Sequence, residues 1–476
     1  MPDIHHFAFP LLCLSRVKEK LRNLRDDPAD SLWNGPMIGK QLSPWTMAWF
    51  ATALTALLVA LGLAALGAVG PGDWSGGVAL AVVHVFVLGW LGQMMLGALI
   101  QFVPVLCARP LVLPGLALPA LILGSAGVLM LAVGFLSLDG WPTAGLLTFA
   151  PFVLALAFAI VGAMLAWTLI AARDLRQPGS RLVLLALVAL AAVWATGALM
   201  ALPLRGFDLA PGILPQLLPL HILLGAGGWL TLAAMGVSHK LFAMFLLAPE
   251  PDGALPRAIF LVAVIAVAAT LGTAPPMLVA IPAMLTVALY LVQMQRLWRS
   301  RRRPRPEVNM RWSRAALGFL GLCTLLIPPA IRLGGHWAEA AVFAALAGWL
   351  STLTLAQMVR IVSFLTWIQV FAPRIGRQTV PMVDDLTDAR RSGRWLALWS
   401  AGVLGGTLSL IAGSAGCFRL AVIAMLIAAL GLCIEFIAIR RLRHLPAPMR
   451  PATLPPLVLP VPFRSPDHDH TRPAGA

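Results

Sequence analysis

The sequence predicts an all-α polytopic membrane protein of about twelve transmembrane helices, arranged as three pseudo-threefold sets of four. Three observations predict it. Of 476 residues, 59% are apolar and 11% charged, against about 45–50% and about 25% in a soluble domain, so most of the surface must face a solvent other than water. Apolar runs of the roughly 20 residues needed to cross a bilayer recur along the chain, without the period-two alternation of a barrel strand. One tryptophan-centred motif occurs three times, four spans apart.

Residues 1–44 carry Arg16, Lys18, Lys20, Arg22 and Arg25 and read as a cytoplasmic basic segment with a short amphipathic surface helix. The membrane domain, 45–440, has candidate spans near 45–69, 77–106, 111–136, 143–172, 181–204, 213–247, 255–273, 275–298, 313–333, 336–372, 394–414 and 418–440. Only Thr273, Ala274, Pro275 and Pro276 separate the seventh from the eighth. No small-residue cleavage site follows the first span, which is expected to be retained. The Pro-rich tail, 441–476, is expected to be disordered.

The 35 Lys and Arg against 19 Asp and Glu give a formal charge of +16. With the amino terminus inside, only Arg205, Arg332 and Arg419 fall outside, so the charge is an orientation signal. Both ends are then cytoplasmic, in what is expected to be a bacterial inner membrane. The dense cluster from Arg296 to Arg314 lies between spans, where its role is topological; the expected partner is the bilayer and no nucleic acid is expected. The cysteines, Cys13, Cys107, Cys323, Cys417 and Cys433, have no metal-site or disulfide spacing.

The second, sixth and tenth spans are among the longest. They read GWLGQMMLGALIQFVPVL from Gly89, GWLTLAAMGVSHKLFAMF from Gly228 and GWLSTLTLAQMVRIVSFL from Gly348. Trp90, Trp229 and Trp349 align; seven residues on come Gly97, Gly236 and Ala356, and eleven on come Gln101, Lys240 and Arg360. At about 100° per residue these offsets return close to one helix face. Each long helix thus presents an aromatic, a small residue for close helix approach and a polar inner end. The membrane domain then divides into repeats of about 45–172, 181–298 and 313–440.

Nine histidines occur, and His84, His221 and His239 lie well within spans. An ionisable group at membrane depth is costly and marks function or a satisfied packing contact. His84 precedes Trp90 by six residues and His221 precedes Trp229 by eight, placing both in the outer part of their spans, where neutral imidazole suits haem iron or copper. His239, about 27 Å along the helix from His221, cannot share its metal and is expected at headgroups or a cytoplasmic vestibule. His336 and Glu339 share a face at the outer start of span ten; His468 and His470 sit in the tail.

The texts HVFVLGWLGQMMLGALIQFVPV and HILLGAGGWLTLAAMGVSHKLFAMF, with the twelve-span plan, resemble the haem-copper oxidase subunit I superfamily, especially its C-type branch and the NnrS-like membrane proteins. The resemblance implies a haem axial ligand at His84, a copper or iron ligand at His221, respiratory-chain or other membrane subunits as partners, and a role in nitric oxide response. The sequence departs from that pattern. Residues 255–273 contain no histidine, Phe343 stands where span ten would match His84, and the sole tyrosine, Tyr290, lies in span eight. Glu250, Glu339 and Glu435 lie at helix ends or in span twelve. A complete binuclear centre is not expected, and terminal oxygen reduction is not expected with it. The expectation is a degenerate relative that keeps haem or a metal and serves in nitric oxide or respiratory stress; whether it is an enzyme stays open. A cofactor-free channel, carrier or assembly scaffold, with Gln101, Lys240 and Arg360 as a cytoplasmic gate, is the other reading.

Overall fold

The computed structural model describes residues 44–172, 177–203, 213–376 and 378–458. The basic segment before residue 44 lies outside them, as do Arg205, His468 and His470. Twelve long helices are present among the described residues: α1 Thr46–Ala65, α2 Gly77–Cys107, α3 Ala117–Phe135, α4 Leu146–Ala171, α5 Pro178–Met200, α6 running through Ile213–Ile222, Leu223–Thr231 and Leu232–Leu246, α7 Ala254–Leu271, α8 Pro276–Arg299, α9 Val308–Leu333, α10 running through Gly335–Phe343, Ala344–Ser351 and Thr352–Val370, α11 Ala389–Ile411 and α12 Ala415–Arg440. Eleven are long and apolar enough to cross a membrane. The other, α11, is as long but opens with Arg390, Arg391 and Arg394, and it packs along the length of α12. The chain is an all-α polytopic membrane protein.

Helix packing follows the threefold plan. In each repeat the first helix lies along the second: α1 on α2, α5 on α6, α9 on α10. The third and fourth form a hairpin, α3 with α4, α7 with α8, α11 with α12. The fourth then meets the first of the next repeat, and α12 returns to α1, which closes the ring. Inside it the three motif helices touch: α2 meets α6 through the halves that follow their π segments, and α10 meets both at mid-length. The largest fully buried side chains include Trp49, Trp90, Trp349, Trp399 and Tyr290. Outward faces expose Phe149, Phe152, Leu261, Leu325 and Leu420, an apolar surface that lipid covers and water would not tolerate.

Small residues set the approach of each motif helix to the first helix of its repeat. A Cβ on Gly89 would lie 2.8 Å from Ala56, one on Gly228 2.8 Å from Ala189, and one on Gly348 3.0 Å from Phe319. The next small position repeats the contact: Gly97 faces Trp49, and Gly236 faces Val183 and the Gly179 carbonyl. This is close packing through small residues, as in other membrane bundles.

The motif helices are not uniform α-helices. Each widens into a π-helical segment at the same place, Val85–Gly92, Leu223–Thr231 and Ala344–Ser351, and each segment contains the motif tryptophan. Hydroxyls follow the altered register. Thr231 and Ser351, both two residues after the tryptophan, donate to carbonyls five residues back, Ala226 and Leu346, at 2.7 Å. In the ordinary α-helical parts Ser313 and Thr366 reach back four. Extended π-helix is rare and gathers at functional sites, so its recurrence in all three motif helices singles out this level of the bundle.

The start of α2 and the end of α12 are tied down by side chains. Asp139 accepts from Gly77 N at 3.0 Å and Val78 N at 2.8 Å, capping α2 from the loop after α3. At the other end Arg440 bonds Thr366, Gln369 and the carbonyls of Pro456 and Leu457, holding the start of the Pro-rich tail against the bundle.

Candidate functional site

His84 is the last residue before the π segment of α2, and His221 stands two residues before that of α6. The structure brings them together, with ring centroids 6.5 Å apart and planes inclined by 33°. Phe135, at the end of α3, packs against His84 with ring centroids 4.6 Å apart. Gly197 of α5 makes room for His221, because a Cβ there would lie 3.0 Å from its Cε1. In the third repeat Phe343 occupies the junction and packs against Phe418 at 5.5 Å.

Hydrogen bonds orient both imidazoles alike. His84 Nδ1 lies 2.8 Å from the Leu80 carbonyl, which can only accept, so Nδ1 carries the hydrogen. Thr196 Oγ1 lies 3.1 Å from His221 Nδ1 and donates its single hydrogen to the Ala192 or Val193 carbonyl, at 3.1 and 3.0 Å. It is left to accept from His221 Nδ1. In each neutral ring Nε2 therefore keeps its lone pair, the arrangement of a metal-ligating histidine whose other nitrogen is held by the protein.

These two residues can be tested against a bound group. Two imidazoles placed trans on one ion at about 2.0–2.1 Å per bond set their ring centroids about 6.3 Å apart. The observed centroid separation, 6.5 Å, is of that size. No third His, Cys, Asp or Glu joins them among the described residues. Two imidazoles are a donor set of the kind taken by haem iron, whose macrocycle brings the equatorial ligands, or by a single imidazole-preferring ion such as copper.

His239 stands elsewhere. It is buried, 3% exposed, with Nδ1 on the Met235 carbonyl at 2.7 Å and Nε2 without a partner. Its ring meets Tyr290 at 5.7 Å; Tyr290 in turn bonds Ser238 at 2.5 Å and meets Trp349 edge-on at 6.2 Å. With Lys240 and Arg181 it lines a cavity of about 340 Å³ among the ends of α5, α6 and α7. The sequence could not foresee this cluster, since its members lie on three different helices and in two repeats.

The repeated polar ends are paired separately. Thr46 donates to Gln101 at 3.0 Å, Lys240 pairs with Glu250, and Arg360 pairs with Glu307 and Asp384. Each side chain is held by a partner next to its own helix, and none of the three bonds to another. His336 lies 3.2 Å from Glu339, which accepts from Gly72 N at 3.1 Å and so holds the α1–α2 loop. Trp90 Nε1 donates to Ser351 Oγ at 2.9 Å, joining α2 to α10 at their π segments.

No protein-family model matches the chain, and no curated protein does.

Proposed function

We propose that this integral membrane protein binds haem, or a single copper or iron ion, between His84 and His221, and that it serves in nitric oxide or respiratory stress rather than as a terminal oxidase. In this reading it lies in a bacterial inner membrane with both ends cytoplasmic, beside respiratory-chain or other membrane subunits. The observation that carries the proposal is the facing pair of histidines, 6.5 Å between centroids, each with Nδ1 held by its neighbours. Leu80 and Thr196 fix the tautomers, Gly197 leaves space for the ring of His221, and Phe135 backs His84. When bound, an ion there would supply a site for a small ligand or an electron. The resemblance of the two histidine-bearing texts to oxidase subunits supports the stress-related role and leaves the substrate open.

The test is an optical spectrum and metal analysis of the protein purified after expression with haem and copper supplied. The expected result is a Soret band, or about one metal ion per chain, that is lost in His84→Ala and His221→Ala variants that still fold. Protein with neither, under the same supply, would overturn the proposal.

A further inference from the structure

A groove of about 810 Å³ runs between the arginine-rich ends of α9 and α11. It is lined by Arg311, Trp312 and Ala315 from α9 and by Arg390, Gly393 and Arg394 from α11. Three guanidinium groups face one groove whose lining contains no acid. The neighbouring charges are engaged elsewhere. Arg391 pairs with Glu435 at 2.9 Å, Arg314 lies over Trp298 at 5.4 Å, and Asp388 spends its carboxylate on the start of α11. No ion pair joins Arg311, Arg390 or Arg394 to any acid among the described residues. Three like charges gathered without a counter-ion repel one another, and the arrangement becomes favourable once an anion is present.

The groove's position and walls say which anion. It lies at the arginine-bearing starts of two long helices of the membrane bundle, and Ala315 and Ala397 continue it toward the apolar part of both. Farther along the same helices Leu325, Leu404 and Leu408 are exposed. Small side chains on both walls leave a slot beneath the arginines, and Trp312 is an aromatic of the kind enriched at membrane interfaces. Gly393 faces the Trp312 indole; a Cβ there would lie 3.8 Å from its Nε1. A ligand with a phosphodiester for the guanidinium groups and acyl chains for the slot satisfies both halves, as basic pockets between membrane helices do for anionic lipids. We propose that the α9–α11 groove is a binding site for an anionic phospholipid of the phosphatidylglycerol or diphosphatidylglycerol class, held by Arg311, Arg390 and Arg394.

The experiment offers the purified full-length protein an equimolar mixture of phosphatidylglycerol and phosphatidylcholine and reads retained lipid by native mass spectrometry. Thermal midpoints are measured in parallel in nanodiscs of each lipid. The expected result is preferential retention of phosphatidylglycerol and a higher midpoint in its discs. R311Q/R394Q should lower that preference about 10- to 30-fold, while R332Q, at the opposite end of α9, should keep it. Equal retention by wild type and R311Q/R394Q would overturn the proposal, and so would inorganic phosphate in detergent reproducing the whole stabilisation. Should the double variant not fold, the single R390Q, at an exposed side chain, carries the same comparison.

Discussion

Trp90 donates its indole N–H to Ser351 Oγ at 2.9 Å, across the axis between the first and third motif helices, while Ser351 donates onward to the Leu346 carbonyl at 2.7 Å. One hydroxyl thus satisfies both an interhelical donor and a carbonyl of the π segment. Ser351→Ala removes both partners at a fully buried position, and thermal unfolding in detergent should show a loss of about 1–2 kcal/mol. Trp90→Phe combined with Ser351→Ala should cost less than the sum of the two, because the pair is then absent on both sides.

The glycines separate into two groups. Gly236 faces Val183 and the Gly179 carbonyl within 3 Å of where a Cβ would stand, whereas Gly162 in α4 has nothing within 4 Å. Gly236→Ala should destabilise by about 1–3 kcal/mol through overpacking. Gly162→Ala should stabilise by up to about 1 kcal/mol through helix propensity. Equal effects of the two on thermal midpoint would contradict the packing described for the motif helices.

Residues that orient the histidines should matter without being ligands. Thr196→Val removes the acceptor for His221 Nδ1, and Gly197→Ala crowds the same ring. If the pair binds an ion, titration of Thr196→Val should give an affinity lower by about 10- to 100-fold, the usual effect of losing such a support. The same titration of Lys240→Gln should be unchanged.

The start of α11 should be sensitive to acid. Asp388 accepts from Arg391 N at 3.0 Å and Arg390 N at 2.9 Å, and chiefly the first of these holds its carboxyl below the usual value. A lowered carboxyl pKa stabilises the folded state above the unfolded value, near 3.8, and that contribution is lost as pH falls through the lower folded value. Hydrogen exchange at the first turn of α11 should therefore quicken below pH about 4. Asp388→Asn should retain most of the cap and lose that pH dependence; Asp388→Ala should cost about 0.5–2 kcal/mol at neutral pH.

Much of the architecture was legible because bilayer thickness and helix rise leave few choices. The spans follow from run length, and the separation of α7 from α8 at Pro275 and Pro276 from the lack of a backbone donor in proline. Part of the motif stripe also survives: Gly97 and Gln101, beyond the π segment where α geometry resumes, both meet α1, whereas Trp90, within it, reaches α10. What escaped was set by chemistry that run length does not register. Helix α9 begins at Val308 and α11 at Ala389, each five residues before its apolar run, because a helix continues into the headgroup region when its end is capped or paired. The π segments escaped because 100° per residue was assumed throughout. The meeting of His84 with His221 was legible only as two outer-half histidines on repeat-related helices: six and eight residues before their tryptophans are not equivalent positions, and the packing of α2, α5 and α6 sets the 6.5 Å between the rings. The ion-pair partners of Lys240 and Arg360 also escaped, because Glu250, Glu307 and Asp384 lie in connecting segments that carry no periodic signal.

The return of α12 to α1 is reinforced where Arg419, at the start of α12, donates to the Leu66 carbonyl just past the end of α1. An open stack of repeats frays from its terminal units and needs capping repeats with a polar face. A closed ring has no terminal unit. Every repeat is flanked on both sides, so none can peel away without exposing two seams at once, and unfolding of the membrane domain should be a single cooperative event. For the same reason one or two repeats expressed alone would present unmatched lateral faces and would be stable only by finding copies of themselves.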